Sequence, residues 1–329
     1  MTKTKMLKTL LTVAVLTALR TPFAAANTLQ YVGVDWSSVL VEERAGVVYK
    51  DSRSVEKPLE TILVEAGVNM VRQRVWTVDG DYGIKYNLQL ARRAKDAGLK
   101  FGLNLHYSDT WTNPGQQTIP TGWPQDIDGL EKQLWTYTTE VCNTFAAAGL
   151  SPDTITIGNE IPSSLGTGTK IVTHLAHGWN QELQNWFYDL VLAPGHLMVR
   201  DWDVIAVSFY PFWGEGASMA NLSATLNSLA SKYNKEVQVV ETNWPTSCPN
   251  PEYPFPKDQL DIPFSTAGQV EYLRRLASTL KAIPSATGIN YWEPAWVHNA
   301  VLGSSCASNV LFDPNGKAYE SLSVFASLY

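Results

Sequence analysis

Eight short apolar runs alternate with longer runs of helical period along this chain, and that alternation limits the fold more than any other feature. The runs are 31–35, 68–75, 100–106, 154–160, 171–176, 204–209, 237–241 and 288–293. Helical patterns follow most of them, at 58–66, 86–97, 128–148, 181–192, 219–233, 266–282 and 317–328. Such alternation calls for parallel strands joined by crossover helices, and eight strands predict an α/β fold of the closed (β/α)8 barrel type. Three boundaries repeat one device: Ala66-Gly67-Val68, Ala97-Gly98-Leu99 and Ala148-Gly149-Leu150 each put Gly where a helix should stop. A barrel of this kind takes about 250 residues, so 27–329 is expected to be one domain.

Residues 1–26 read as a leader. Lys3, Lys5 and Lys8 precede the apolar run Leu10–Leu19, which is too short for a membrane span, and Ala24-Ala25-Ala26 offers a cleavage site. Export makes a disulfide permissible. Of the three cysteines, Cys142 lies in a helical pattern and is expected to be a buried thiol. Cys248 and Cys306 lie in Pro/Gly/Ser-rich loops and are expected to pair, although spacing alone proves no pairing. Asn221-Leu-Ser223 is the one N-glycosylation sequon.

The net charge of −6 argues against a nucleic-acid partner. Twelve Trp and fourteen Tyr suit a sugar polymer, whose apolar ring faces stack on flat side chains, though some of these rings must be core. No His-Glu-x-x-His or EF-hand spacing occurs, so no metal and no cofactor are expected. No membrane association is expected once the leader is gone, and a monomer is the default.

The count of elements is uneven. Nothing of helical period separates Glu160 from Ile171. Parallel crossovers usually need a dozen or more residues, but 161–169 fully extended could reach about 30 Å, against roughly 23 Å for a seven-residue strand. The fourth crossover is therefore expected to be a bare strap, which would leave Ile155 and Ile157 uncovered. The gap has three readings: an exon missing from the conceptual translation, a deletion in an active enzyme, or decay to an inactive sugar-binding barrel.

In this fold chemistry gathers at the C-terminal ends of the strands. Glu160 and Glu241 end the fourth and seventh strands, opposite each other across the mouth. Two carboxyls about 5–5.5 Å apart perform retaining glycoside hydrolysis, one as acid/base and one as nucleophile. A lone Glu at a strand end is more often an ion-pair partner, and Gly-Asn-Glu alone is a weak signal; the second Glu at the right strand raises it. Arg72 or Arg74 could hold one Glu ionised and Tyr210 could donate to it. Asp35, Asp109, Asn159, His106 and His174 are candidate sugar contacts. Trp111, Trp244 and Trp292 are candidate platforms, with Trp213 and Trp296 beside them. Alternation sends Glu293 the opposite way from Trp292.

Six stretches together resemble glycoside hydrolase family 53, the arabinogalactan endo-β-1,4-galactanases, of fungal type. They are Gly33-Val-Asp-Trp-Ser-Ser38, Gly67-Val-Asn-Met-Val-Arg-Gln-Arg-Val-Trp76, Leu105-His-Tyr-Ser-Asp-Thr-Trp111, Ile157-Gly-Asn-Glu-Ile161, Val240-Glu-Thr-Asn-Trp-Pro245 and Tyr291-Trp-Glu-Pro-Ala-Trp296. The resemblance implies a secreted enzyme that hydrolyses β-1,4-galactan side chains of pectin with retention. It implies Glu160 as acid/base and Glu241 as nucleophile, and it supports the Cys248–Cys306 pairing. The nearest alternative is a retaining β-glycanase acting on mannan, glucan or xylan. Two departures stand out: the family's loop and helix after Gly-Asn-Glu-Ile are missing, and His174-Leu-Ala-His-Gly-Trp179 stands where the family carries an acidic pair.

Overall fold

A computed structural model describes residues 27–158, 169–195 and 197–329. Eight parallel strands close into a barrel in chain order, with β1 pairing to both β2 and β8. They are β1 (Tyr31–Asp35), β2 (Met70–Val75), β3 (Lys100–Leu105), β4 (Thr154–Ile157), β5 (Lys170–Leu175), β6 (Val204–Ser208), β7 (Glu236–Glu241) and β8 (Ala286–Tyr291). The expected strands are all present, with every end within three residues of its expected place.

Among the described residues seven α-helices surround them: α1 (Val39–Arg44), α2 (Leu59–Glu65), α3 (Ile84–Asp96), α4 (Ile127–Ala147), α5 (Gln181–Leu192), α6 (Met219–Tyr233) and α7 (Thr266–Lys281). Polar caps start four of them. Asp126, Asn180, Ser218 and Ser265 each accept a hydrogen bond from a backbone N–H of the first turn, supplying a partner the helix lacks. The three glycines expected to stop helices take positive φ, 95° at Gly67, 75° at Gly98 and 70° at Gly149. Two expectations are corrected. The short helix α1 was not foreseen, and the last helical pattern forms a 3-10 stretch, Glu320–Ser327, packed against α7.

Most of the apolar core lies between barrel and helices, and a smaller cluster of Val172, Val204, Ala206 and Val240 fills the barrel interior. Among the described residues no helix stands between β4 and β5. Ile155 and Ile157 are nevertheless buried, 5% and 4% exposed, which corrects the expectation that they stand uncovered. They belong to the main apolar cluster, to which α4 contributes Val141 and Phe145. The exposed apolar surface lies instead on the helices that flank this crossover in sequence, at Trp135 of α4 and at Leu183, Trp186 and Leu190 of α5. Cys142 on α4 is a free thiol but only partly buried, so the expected full burial is also corrected. Cys248 and Cys306 form a disulfide.

Candidate active site

Side chains alternate along a strand, so residues two apart share a face. On that rule Asp35, Arg72, Arg74, Asn104, His106, His174 and Ser208 point into the barrel at its C-terminal end. All seven are buried, and all but His174 line one cleft of about 730 Å³. Glu241 lines the same cleft, but the rule alone does not put it there. Val240 belongs to the interior cluster, which would turn its neighbour outward. The β6–β7 ladder resolves the conflict. Val207 pairs with Val239, but Ser208 pairs with Glu241, so one residue of β7 is skipped. This bulge re-aims the carboxylate toward the cleft, as bulges near active sites commonly do.

Both oxygens of Glu241 are held. Arg72 donates from Nη1 to Oε1 at 2.9 Å, and Tyr210 donates its hydroxyl to Oε2 at 3.0 Å. Ser208 Oγ lies 3.4 Å from Oε2. The same Arg72 Nη1 reaches Asp35 Oδ2 at 2.9 Å, and Nη2 reaches His174 Nδ1 at 3.1 Å. Asp35 is steadied on its other oxygen by the Ser37 hydroxyl at 2.7 Å. Tyr210 remains a phenol: burial, and next the Glu241 carboxylate, push its pKa well above the usual range. Burial, and next the Arg72 charge, press His174 well below 6.5 and keep it neutral. His106 is pressed down the same way by burial and then by Arg74. Its ring meets Asn104 Nδ2 at 3.2 Å and Thr112 Oγ1 at 3.1 Å.

Of the two arginines proposed to steady a Glu, the structure selects Arg72. Arg74 pairs with Glu293, which burial pushes up toward neutrality, to about 7. The Arg74 guanidinium also sits 4.2 Å from the ring centres of both Tyr82 and Trp111. That contact, worth about 2 kcal/mol or more when desolvated, fixes one wall of the cleft.

Trp111 and Trp296 stack 5.7 Å apart on that wall, and Trp292 meets Trp111 edge-on at 6.0 Å. Trp292, Trp213 and Trp179 line the cleft as well. Two expected sugar contacts lie elsewhere. Trp244 is fully buried, stacked on Tyr272 at 5.0 Å, with its Nε1 bonded to Pro263 O at 3.0 Å. Asp109 does not line the cleft; it accepts from the Thr77 hydroxyl and from Thr121 N at 2.7 Å, holding a loop. Asn159 and Glu160 fall outside the described residues, so their placement stays an expectation. The sequence reading missed Ser208 as a partner of Glu241, and it missed the wall at Asn299–Gly303. Ser208 was findable, two residues before Tyr210 on a strand end; the wall had no local signal.

Arginine and tyrosine thus hold one carboxylate in a fixed orientation on the lining of an aromatic cleft. Residues 31–170 and 164–325 match the model of glycosyl hydrolase family 53. The chain belongs to that family. An arabinogalactan endo-β-1,4-galactanase of Humicola insolens is 50% identical, over 90% of this chain and 99% of the relative. Another, of Thermothelomyces thermophilus, is 47% identical over the same shares. A solved structure from a study of two fungal β-1,4-galactanases superposes with a TM-score of 0.89 at 50% identity, covering 91% of this chain and 100% of that one. The two matched blocks overlap at 164–170, just ahead of and at the start of β5.

Proposed function

We propose that this glycoside hydrolase cleaves internal β-1,4-galactosidic bonds of (arabino)galactan side chains with retention. Glu241 attacks the anomeric carbon, and Glu160 protonates the departing glycosidic oxygen. Glu160 then deprotonates the water that hydrolyses the glycosyl ester. The reading rests above all on 50% identity to a fungal galactanase across almost its whole length. The cleft supports it: the proposed nucleophile is oriented at both oxygens, and Trp292 stands beside it as a floor for the sugar. Asp35 and His106, which also line the cleft, are proposed to brace the site or meet sugar hydroxyls, His174 to brace it through Arg72, and Asn159 to bond a hydroxyl beside the reacting carbon.

The deciding experiment is hydrolysis of β-1,4-galactan by the purified chain, with mannan, cellulose and xylan derivatives alongside and product anomers read by NMR. Release of β-anomers from galactan is expected. Preference for another glycan would move the substrate assignment, and α-anomers first would end the retaining mechanism. Wild-type turnover by Glu241→Ala would remove the nucleophile assignment. No turnover on any glycan, with oligosaccharide still bound, would leave the inactive-barrel reading standing. We also propose that residues 1–26 direct export and that the mature chain is a monomer. N-terminal sequencing of secreted protein should begin at Asn27, and sizing should give one chain. The Asn221 sequon lies exposed near the start of α6, and mass spectrometry of that product would reveal whether it is glycosylated.

A further inference from the structure

Four side chains from four strands close a ring through Glu241. Arg72 on β2 holds Glu241 Oε1 with Nη1 and His174 Nδ1 with Nη2, at 2.9 and 3.1 Å. His174 Nε2 on β5 lies 2.8 Å from Ser208 Oγ on β6. Ser208 Oγ returns to Glu241 Oε2 on β7 at 3.4 Å. Only one arrangement of protons satisfies every link. A guanidinium has donors and no acceptor, so His174 Nδ1 must accept. The proton of the neutral imidazole then sits on Nε2 and goes to Ser208 Oγ. A hydroxyl that accepts from His174 has its own proton free, and Glu241 Oε2 is the acceptor in reach. The ring is buried throughout except at the cleft face of Glu241, so water does not compete for these links.

We propose that Ser208 is a positioning residue for Glu241, wired to Arg72 through the fixed tautomer of His174. Its hydroxyl and that of Tyr210 approach the same oxygen, and together they fix the rotation of the carboxylate about its terminal bond. Arg72 alone, at the other oxygen, leaves that rotation free. The skipped residue in β7 gives Ser208 this role, because it sets Ser208 rather than Phe209 opposite Glu241. The closing link is long at 3.4 Å, and such contacts commonly tighten in the substrate complex. This inference deepens the proposed function and rests on Glu241 being the nucleophile.

The test uses an activated 2-deoxy-2-fluoro-β-galactobioside, which traps the nucleophile as a stable glycosyl ester. In the wild-type chain the label should map to the peptide containing Glu241. Ser208→Ala should label roughly tenfold more slowly at saturating reagent, the loss typical of one donor to a reacting charge. Its half-saturation concentration should stay at the wild-type value at a temperature where the variant is fully folded, and Ser208→Thr should recover most of the rate. His174→Gln should slow labelling too, and the double variant Ser208→Ala/His174→Gln should be no slower than the worse single one, because both cut the same chain. Wild-type labelling rates in Ser208→Ala overturn the inference and leave Glu241 as nucleophile. So does a rate loss that follows the melting temperature, or one that adds fully to that of His174→Gln. A label mapping to another carboxylate overturns the reading of Glu241 and this inference with it.

Discussion

Arg72 spans two carboxylates with a single nitrogen, Nη1 lying 2.9 Å from Asp35 Oδ2 and 2.9 Å from Glu241 Oε1. All three side chains are buried or nearly so, with Glu241 the most open at 13%. Removing one partner from such a buried group leaves uncompensated charge and costs about 3–5 kcal/mol. Arg72→Met is therefore expected to lose both turnover and several degrees of melting temperature. Calorimetry and a reducing-sugar assay check this, and a variant with wild-type stability would show that Asp35 and Glu241 tolerate each other without the cation.

Two tryptophans with similar sequence surroundings should behave in opposite ways. Trp244 is enclosed by Tyr272, Phe255 and Phe264. Trp244→Ala should cost about 3–5 kcal/mol in denaturant unfolding, as large-to-small core changes do. Trp292 lines the cleft and is half-buried. Trp292→Ala should raise KM for galacto-oligosaccharides while leaving unfolding nearly unchanged. Equal destabilisation by the two would argue that Trp292 is structural.

Acid should destabilise the fold through its two barrel histidines. Burial holds His106 and His174 well below 6.5 in the folded chain, whereas in the unfolded chain they titrate near that value. As pH falls through 6.5 the unfolded state therefore binds more protons than the folded one, and stability drops. Each histidine contributes up to about 1.4 kcal/mol per pH unit until its folded pKa is reached. Melting temperatures measured from pH 7.5 down to 5 should fall less steeply in His106→Gln than in the wild type. Parallel curves would mean that His106 takes up its proton without unfolding.

The disulfide joins the segments that follow β7 and β8, and its two ends are 58 positions apart in sequence. Loss of such a link commonly costs about 2–5 kcal/mol. It also tethers the stretch that carries Asn299 and Leu302 into the cleft wall. Cys248→Ala/Cys306→Ala should lower the melting temperature and raise KM, both recorded on the same preparation without reductant. A change in stability alone would confine the bond to a structural role.

Strand positions, most helices and the cysteine pair were legible in the sequence because each depends on a local pattern: a period, a cap, a stop or a loop composition. Partners at the mouth were partly legible. Tyr210 as a donor to Glu241 follows from adjacent strand ends, but the choice between Arg72 and Arg74 does not. Both arginines face inward on β2, and they are separated only by depth in the barrel and by where Glu293 lies. Trp244 could not be told from a platform, since its burial depends on Pro263 and Tyr272, brought in by distant stretches of chain. Asp109 was drawn away by Thr77 and Thr121 in the same manner. The burial of Ile155 and Ile157, with no helix among the described residues between β4 and β5, is likewise a property of packing and not of period.

The skipped residue in β7 carries an evolutionary consequence. A change of length elsewhere in β7 that set Val240 opposite Ser208 would keep every side chain this reaction is proposed to use, yet turn Glu241 to the helix side of the sheet. A comparison of family members by residue identity alone would pass such a chain as intact. The heritable requirement for this carboxylate therefore includes the length of its strand as well as its letter.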